Sequence, residues 1–224
     1  MNYPRPASPA VVVPVKAFSA AKMRLSDALD HHERSRLAKQ LAERVIRSVS
    51  HLETLVACDD AEVADWARQM GAGVSWTPGC DLDAAVGKTV ALLAERKVAR
   101  VVVAHSDLAD PEGLAELAEL DFSPNRVAGV VVVPDLRRDG TNVCSIPSGL
   151  GFGFGFGAGS FRRHCGEAHR LAAPLLVLAN SALSLDVDTA WDLELARERW
   201  AMRPGRLGTA VGGTVQLGSS PAAR

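Results

Sequence analysis

The chain is short of cysteine, aromatic residues, net charge and long apolar runs, and several of these shortages exclude a class of protein. Its 224 residues include 25 basic and 26 acidic side chains, a formal net charge of −1. No overall field therefore favours nucleic acid or a membrane surface. No apolar run approaches the roughly 20 residues of a membrane-spanning helix. We expect neither nucleic acid nor a membrane as a partner.

The cysteines and the first residues bear on the cellular compartment. The four cysteines, Cys58, Cys80, Cys144 and Cys165, form no C-x-x-C pair and no zinc-type spacing. Their mostly apolar neighbours indicate reduced, buried thiols, and none lies in an activating context for catalysis. Residues 1–9 lack the basic and apolar segments of a signal peptide. We expect a cytoplasmic protein.

What the chain does contain is a regular alternation of short apolar runs and amphipathic segments. The apolar runs predict buried strands, and apolar residues that recur at i+4 predict helices. The predicted strands are 11–15, 55–58, 74–76, 101–104, 127–133, 142–146, 175–178 and 183–187. The predicted helices follow Asp30 and span 61–70, 81–97, 111–120, 160–171 and 191–200.

This alternation predicts an α/β protein with a Rossmann-like, mainly parallel twisted sheet and helices on both faces. The irregular stretch between Pro134 and Leu185 predicts a departure from simple winding, such as an antiparallel strand. The length suits one domain, which we assign to residues 1–203. Residues 204–224 are rich in glycine, serine and alanine, and we expect a flexible tail there.

Charged residues follow the apolar runs at three places. Lys16, Lys22 and Arg24 lie in one loop after the first predicted strand. Ligands bind at the carboxyl ends of strands in open α/β sheets, and such cations suit a nucleoside triphosphate. A solvated surface loop is the alternative. The pattern favours a phosphorylated substrate in a cleft at this edge.

Three aspartates stand at two other strand ends. Asp107 follows the run 101–104, and Asp186 and Asp188 alternate, so that both face one side of an extended chain. Carboxylates combined with substrate phosphates are the ligands that Mg²⁺ takes in proteins. The alternative is a strand end followed by a helix cap, with Asp188 as the capping residue. Together the three favour a magnesium site.

A glycine-rich segment, residues 151–159, precedes Ser160 at the start of a predicted helix. Glycines let backbone N–H groups approach an anion, and a helix start adds free donors. A linker whose phenylalanines pack on the core is the alternative. Thr141 offers a hydroxyl to a ligand or stabilises a turn, and we assign His105 no chemical role.

In combination, five motifs resemble the CofC/FbiD family of phospholactate or phosphoenolpyruvate guanylyltransferases, which act in biosynthesis of the deazaflavin coenzyme F-420. The resemblance spans about residues 11–200. The motifs are Pro14-Val15-Lys16 with Ala21-Lys22 and Arg24-Leu25; Ser106-Asp107-Leu108; Asp139-Gly140-Thr141-Asn142; Phe156-Gly157 with Ser160-Phe161 and His164; and Asp186-Val187-Asp188-Thr189.

The resemblance implies a nucleotidyltransferase of the molybdopterin-guanylyltransferase type, with GTP and a phosphorylated three-carbon acid as substrates and Mg²⁺ as cofactor. It implies Asp107, Asp186 and Asp188 as metal ligands, Lys16, Lys22 and Arg24 at the GTP phosphates, and Thr141, Gly157 and Ser160 at the acid.

Some positions depart from the family pattern. Asp83 stands where the family has asparagine after leucine, so a carboxylate would accept from guanine N1 and N2 or would change the base preference. The acceptor is open among phosphoenolpyruvate, 2-phospho-L-lactate and 3-phosphoglycerate, and a homodimer is one option for the assembly. The alternatives are a related nucleotidyltransferase with another acceptor and a non-catalytic nucleotide-binding regulatory protein.

Overall fold

A computed structural model describes residues 9–119, 129–179 and 181–202. Within these ranges the strands form one seven-stranded sheet in the order β3-β2-β1-β4-β6-β5-β7. The strands are β1 (Ala10–Pro14), β2 (Glu53–Cys58), β3 (Gly73–Trp76), β4 (Arg100–Ala104), β5 (Val130–Pro134), β6 (Thr141–Pro147) and β7 (Leu175–Val177). The α-helices are α1 (His31–Ser48), α2 (Ala61–Gln69), α3 (Leu82–Glu95), α4 (Leu114–Glu119), α5 (Ser160–Arg170) and α6 (Ala190–Ala201).

The sheet is mainly parallel, as predicted. β6 is the exception, since it runs antiparallel to both β4 and β5, and it supplies the antiparallel strand expected in the second half. From β1 the chain winds outward through β2 and β3, and then β4 pairs with the other side of β1. The point where the winding reverses therefore lies between β1 and β4, and such reversals leave a crevice at the carboxyl ends of the strands.

Helices cover both faces of the sheet, which confirms the predicted layers. Alternate residues of each strand point to opposite faces, so Val11 and Val13 lie in one apolar cluster and Val12 lies in another. Helices α1, α2 and α4 pack on the first face, and α3 and α5 pack on the second. Helix α6 closes a third cluster around Leu25 and Leu185, beside the loop after β1.

Two predicted elements differ in the structure. The strand predicted at 183–187 is a short 3₁₀ turn, Ala182–Ser184, followed by extended chain that pairs with the loop after β4 rather than with the sheet. The helix predicted from Pro111 begins at Leu114 because Gly113 has φ +99°, which a helix does not accept. The predicted helix end at Leu120, the strand start at 127–128, the first residues 1–8 and the tail 204–224 lie outside the described residues.

Among the described helices, none combines the length and the apolarity that crossing a bilayer requires. All four thiols are free, but only Cys58 and Cys144 are buried, whereas Cys80 and Cys165 are partly exposed. The predicted burial is therefore wrong for two of the four cysteines.

Candidate active site

Two loops meet at the crevice between β1 and β4. Leu108, just after β4, and Asp186 form an isolated antiparallel bridge. On either side of it the backbone N–H of Ala109 donates to Leu185 O at 2.8 Å, and that of Val187 donates to Asp107 O at 3.1 Å. The bridge joins two segments that are far apart in the chain, and it brings the carboxylates of both to one place.

Three carboxylates gather there. One oxygen each from Asp107, Asp186 and Asp188 lies within 4.8 Å of the others. Asp107 Oδ1 is buried and has no hydrogen-bond partner among the described residues. Burying an ionised oxygen without a partner costs free energy, which a bound cation would offset. Hard oxygen donors in such a group fit a divalent cation of the Mg²⁺ class. We call these three residues the carboxylate cluster.

The Lys22 side chain supplies a positive charge at this cluster. Its ammonium Nζ lies 2.5 Å from Asp107 Oδ2 and 3.1 Å from Asp188 Oδ1, and the side chain is 7% exposed. Lys22 has φ +56°, a left-handed conformation that non-glycine residues rarely adopt, at the start of the 3₁₀ turn Met23–Leu25. The buried Leu25 anchors that turn. The fold therefore accepts local backbone strain where it places this ammonium.

Burial and charge act in opposite directions on the paired groups. Burial alone would lower the pKa of Lys22, but the carboxylates of Asp107 and Asp188 raise it above its ordinary value. Burial alone would raise the pKa of Asp107, but the Lys22 ammonium holds it below its usual range. Both groups are therefore charged near neutral pH.

Asp186 behaves differently. Burial, together with the negative charges of Asp107 and Asp188, raises its pKa to about 7. Asn142 partly offsets this, since its side-chain amide donates to Asp186 Oδ1 at 3.3 Å and to Leu183 O at 3.1 Å. A bound cation would favour the ionised form of Asp186. The sequence indicated a candidate ligand-binding role for Thr141 but none for Asn142. The hydrogen bond from Asn142 to Asp186 joins residues 44 positions apart, so no local pattern predicts it.

The other two predicted cations lie at the rim of the crevice. Arg24 Nη1 is 3.5 Å from Asp188 Oδ2, and its side chain is 75% exposed. Lys16 is exposed and directly follows Val15, whose backbone N–H continues the pairing with β2. Of the three basic residues, the structure brings Lys22 and Arg24 to the carboxylate cluster. Lys16 remains at the beginning of the loop that follows β1.

Asp188 is not the capping residue of α6. The N-cap is Thr189, whose side chain and that of Asp192 form a reciprocal capping box. This observation removes the alternative interpretation of the D-x-D motif as a helix cap by Asp188, and it leaves that carboxylate for the cluster.

The glycine-rich loop, residues 151–159, is held in place by side chains rather than by regular pairing. Arg163 donates to three of its carbonyls, those of Gly155, Phe156 and Ala158, at 2.7–3.0 Å. Asp83 Oδ1 accepts from the backbone N–H of Phe156 at 2.7 Å. The structure thus places Asp83, at the start of α3, against the loop and gives one of its oxygens a partner there.

Unlike the other long helices, α5 begins without a side-chain cap. In α1, α2, α3 and α6 a side chain of Asp30, Asp60, Asp81 or Thr189 caps the first turn. The N-cap of α5 is Gly159, at φ +71°, with no side-chain cap. The positive end of the helix dipole at such a start favours an anion. Ser160 opens this helix, and its backbone N–H donates to Gly157 O at 3.0 Å.

Thr141 links the uncapped start of α5 to the carboxylate cluster. It is the first residue of β6 and is followed by Asn142, the partner of Asp186. The backbone carbonyl of Asp139, two residues before Thr141, accepts from the backbone N–H of Phe161 in the first turn of α5. The predicted acid-binding residues therefore lie on segments joined to one another and to the cluster.

Replacing Gly157 with alanine is expected to weaken this region through the backbone. Gly157 has φ +88° with nothing within 4 Å of an added Cβ, so the cost is conformational rather than steric. We expect a loss of about 1–2 kcal/mol in the free energy of unfolding, or an equivalent loss of substrate affinity if the loop relaxes. Chemical denaturation and steady-state kinetics measure both. Gly166→Ala, inside α5 with equal space, should be neutral or stabilising, and equal behaviour of the two variants would contradict the account.

Comparison with known proteins identifies the family of this chain. Residues 9–196 match the family model described as guanylyl transferase CofC like. A phosphoenolpyruvate guanylyltransferase of Sphaerobacter thermophilus is 30% identical over 189 residues, 82% of this chain and 89% of that protein. A 2-phospho-L-lactate guanylyltransferase of Methanothermobacter thermautotrophicus is 32% identical over 186 residues, 81% of this chain and 81% of that protein.

A solved structure shares the architecture. CMP:2-keto-3-deoxy-manno-octonic acid synthetase complexed with CTP superposes with a TM-score of 0.56, over 88% of this chain and 99% of that one. At 12% identity this likeness concerns the fold alone. Because the family match covers most of the sequence, the chain belongs to the CofC-like guanylyl transferases.

Proposed function

We propose that this protein transfers GMP from GTP to the phosphate of a small phosphorylated acid and releases pyrophosphate, in biosynthesis of coenzyme F-420. The acid is phosphoenolpyruvate, 2-phospho-L-lactate or 3-phosphoglycerate, and the metal is Mg²⁺. The observation that supports this most is the carboxylate cluster with Lys22 at the crevice, joined through Thr141 and Asn142 to the uncapped start of α5.

The reaction needs no general base. An oxygen of the acceptor phosphate, already anionic near neutral pH, forms a bond to the α-phosphorus of GTP. The bond from that phosphorus to the α–β bridging oxygen breaks, and pyrophosphate leaves with the electron pair. This suits a site whose described residues present carboxylates and cations. The protein's contribution is alignment and compensation of charge between two anionic substrates.

Asp107, Asp186 and Asp188 would hold the metal. When bound there, Mg²⁺ would supply charge compensation at the reacting phosphates. The pKa of Asp107 is held low by Lys22, so its carboxylate would be available to a cation. A bound cation would also favour loss of the proton from Asp186. Asn142 keeps the carboxylate of Asp186 oriented through its amide hydrogen bond.

The basic side chains would act on the triphosphate. The ammonium of Lys22 lies between Asp107 and Asp188. From that position it would also donate to phosphate oxygens. Arg24, mostly exposed beside Asp188, offers a planar guanidinium that grips phosphate with two N–H groups. Lys16 extends this positive edge at the end of β1. Together they would stabilise the departing pyrophosphate.

The acid would bind at the start of α5. The positive end of the α5 dipole, the Ser160 and Thr141 hydroxyls and the backbone at Gly157 would favour a phosphate and a carboxylate there. For the base, the second oxygen of Asp83 remains a proposed acceptor from guanine N1 and N2. Its bond to Phe156 would couple base binding to the glycine-rich loop.

A cross of substrates tests the proposal. Purified protein with Mg²⁺ is given GTP, ATP or CTP together with each of the three acids, and pyrophosphate release is measured. We expect release with GTP and at least one acid. Binding of GTP by calorimetry without release in any combination would favour the alternative, a non-catalytic nucleotide-binding protein.

A further inference from the structure

His164 contacts Thr141 of the proposed acceptor site and has no part in the mechanism above. It is on α5, one turn beyond Ser160, and it is fully buried. Its Nε2 accepts from the backbone N–H of Gly155 at 3.0 Å, and its Nδ1 is 3.0 Å from Thr141 Oγ1. One imidazole therefore joins the glycine-rich loop to the hydroxyl at the start of β6.

The contacts of His164 determine where its proton resides. An imidazole nitrogen that accepts from a backbone N–H carries no proton, so in the neutral ring the proton is on Nδ1. The rings of Phe156, Phe152 and Phe154 surround His164 with centroids 4.9, 5.8 and 6.3 Å away. This burial lowers the pKa of His164 to about 4, which agrees with a neutral ring. Nδ1–H is thus the donor, and Thr141 Oγ1 is the acceptor.

This direction has a consequence for Thr141. A hydroxyl has one proton and two acceptor sites, and the histidine occupies one acceptor site. Among the described residues no acceptor is found for the Thr141 proton. The neighbouring Asn142 is bonded to Asp186 in the carboxylate cluster. The Thr141 hydroxyl is therefore left as a donor beside the place where an anionic substrate would bind.

We propose that His164 is a positioning residue for the acceptor acid: its Nδ1–H engages Thr141 Oγ1 and so leaves the threonine proton to be donated to a phosphate or carboxylate oxygen of the acid. This inference rests on the proposed function. It assigns to His164 a contribution to acid binding that acts through Thr141 and not by contact with the acid.

Other residues of α5 hold the glycine-rich loop in place, and their contacts differ from the one that His164 makes with Thr141. Arg163 binds three loop carbonyls, and Glu167 Oε1 accepts from the backbone N–H of Gly153 at 2.8 Å. His164 shares in this through Gly155, but it alone among these three contacts Thr141. The two contacts of His164 are chemically distinct, so substitutions can separate them.

Two substitutions remove one contact each. In His164→Gln the amide oxygen can replace Nε2 as acceptor from Gly155, while the donor toward Thr141 is lost. In His164→Asn the amide nitrogen can replace the Nδ1–H donor to Thr141, while the acceptor for Gly155 is lost. His169→Gln makes the same chemical change at an exposed position of the same helix and serves as the control.

The measurement is the KM of the acid, the KM of GTP and kcat for each variant. We expect His164→Gln to raise the KM of the acid about tenfold, the effect of one misdirected hydrogen bond to a charged group. The KM of GTP should change less than about twofold. His164→Asn should recover most of the acid KM, and His169→Gln should match the unaltered protein. Equal effects of Gln and Asn, or equal effects on both KM values, would overturn the inference.

A second substitution tests whether His164 acts through Thr141. Thr141→Val removes the hydroxyl, and in that background His164→Gln should have no further effect on the KM of the acid. Additive effects would contradict the inference. If the unaltered protein transfers GMP but these patterns fail, only the role of His164 falls. If it transfers GMP to none of the acids, the proposed function falls first.

A readout independent of activity concerns the tautomer. Nitrogen-15 NMR of histidine-labelled protein distinguishes protonated from unprotonated ring nitrogens. We expect His164, assigned by its loss in His164→Gln, to be neutral with the proton on Nδ1. A proton on Nε2 would place the threonine as donor to the ring and would overturn the inference.

Discussion

Replacement of Asp186 by asparagine is expected to reduce turnover about 10²- to 10³-fold, because the variant loses a charged ligand for the cation. The fold should persist. With its pKa raised to about 7, Asp186 is already partly protonated near neutral pH. Asparagine has the shape of that neutral form, and its Oδ1 can still accept from Asn142. We expect the free energy of unfolding to change by less than about 1 kcal/mol.

Pyrophosphate release and chemical denaturation measure the two quantities. Glu62→Gln, which removes an exposed carboxylate on α2, is the control and should leave both unchanged. Asp186→Ala should lose activity to the same degree. An Asp186→Asn protein that retained the unaltered rate with Mg²⁺ would remove Asp186 from the metal site.

Replacement of Lys22 by methionine is expected to change turnover and cation binding in opposite directions. The ammonium contacts two of the oxygens that a cation would use, at 2.5 and 3.1 Å. Without that positive charge, the free protein should bind Mn²⁺ about tenfold more tightly. Turnover should fall about 10²-fold or more, because a cation at the triphosphate is lost. Calorimetry with Mn²⁺ and a pyrophosphate assay measure the two effects.

Lys16→Met provides the matched control for this pair of effects. Lys16 is exposed and precedes Lys22 in the same loop, and it contacts no carboxylate of the cluster in the described structure. It should leave Mn²⁺ binding to the free protein unchanged. Weaker Mn²⁺ binding in Lys22→Met would show that the lysine supports the cation site and does not compete for it.

The sequence predicted most of the fold because its strands are short β-branched runs with clear bounds. Val11–Val15 and Val101–Ala104 correspond closely to β1 and β4. The wrong strand at 183–187 has the same apolar composition, yet its buried residues Leu185 and Val187 pack against α6 and not within the sheet. Composition identifies burial, but the partner that buries a segment is decided by tertiary structure.

The candidate site was predictable where a residue type alone determines the chemistry. Lys22 and Asp107 converge because the carboxyl ends of the parallel strands β1 and β4 share an edge. Asp186 and Asp188 join them through the bridge between Asp186 and Leu108, and not through a strand of the sheet. The contacts of Asn142, Asp83 and His164 were not predictable. They join residues that are far apart in the chain, such as Asp83 and Phe156, separated by 73 positions. Their direction depends on side-chain geometry that no local pattern specifies.

The most direct test of the account is the fate of the acceptor phosphate. The protein is incubated with Mg²⁺, GTP and an acid whose phosphate is labelled with oxygen-18, and both products are weighed by mass spectrometry. We predict a guanylylated acid that retains every label and pyrophosphate that contains none, since the acceptor oxygen attacks the α-phosphorus. Labelled pyrophosphate, or pyrophosphate formed together with free GMP and no guanylylated acid, would contradict the account.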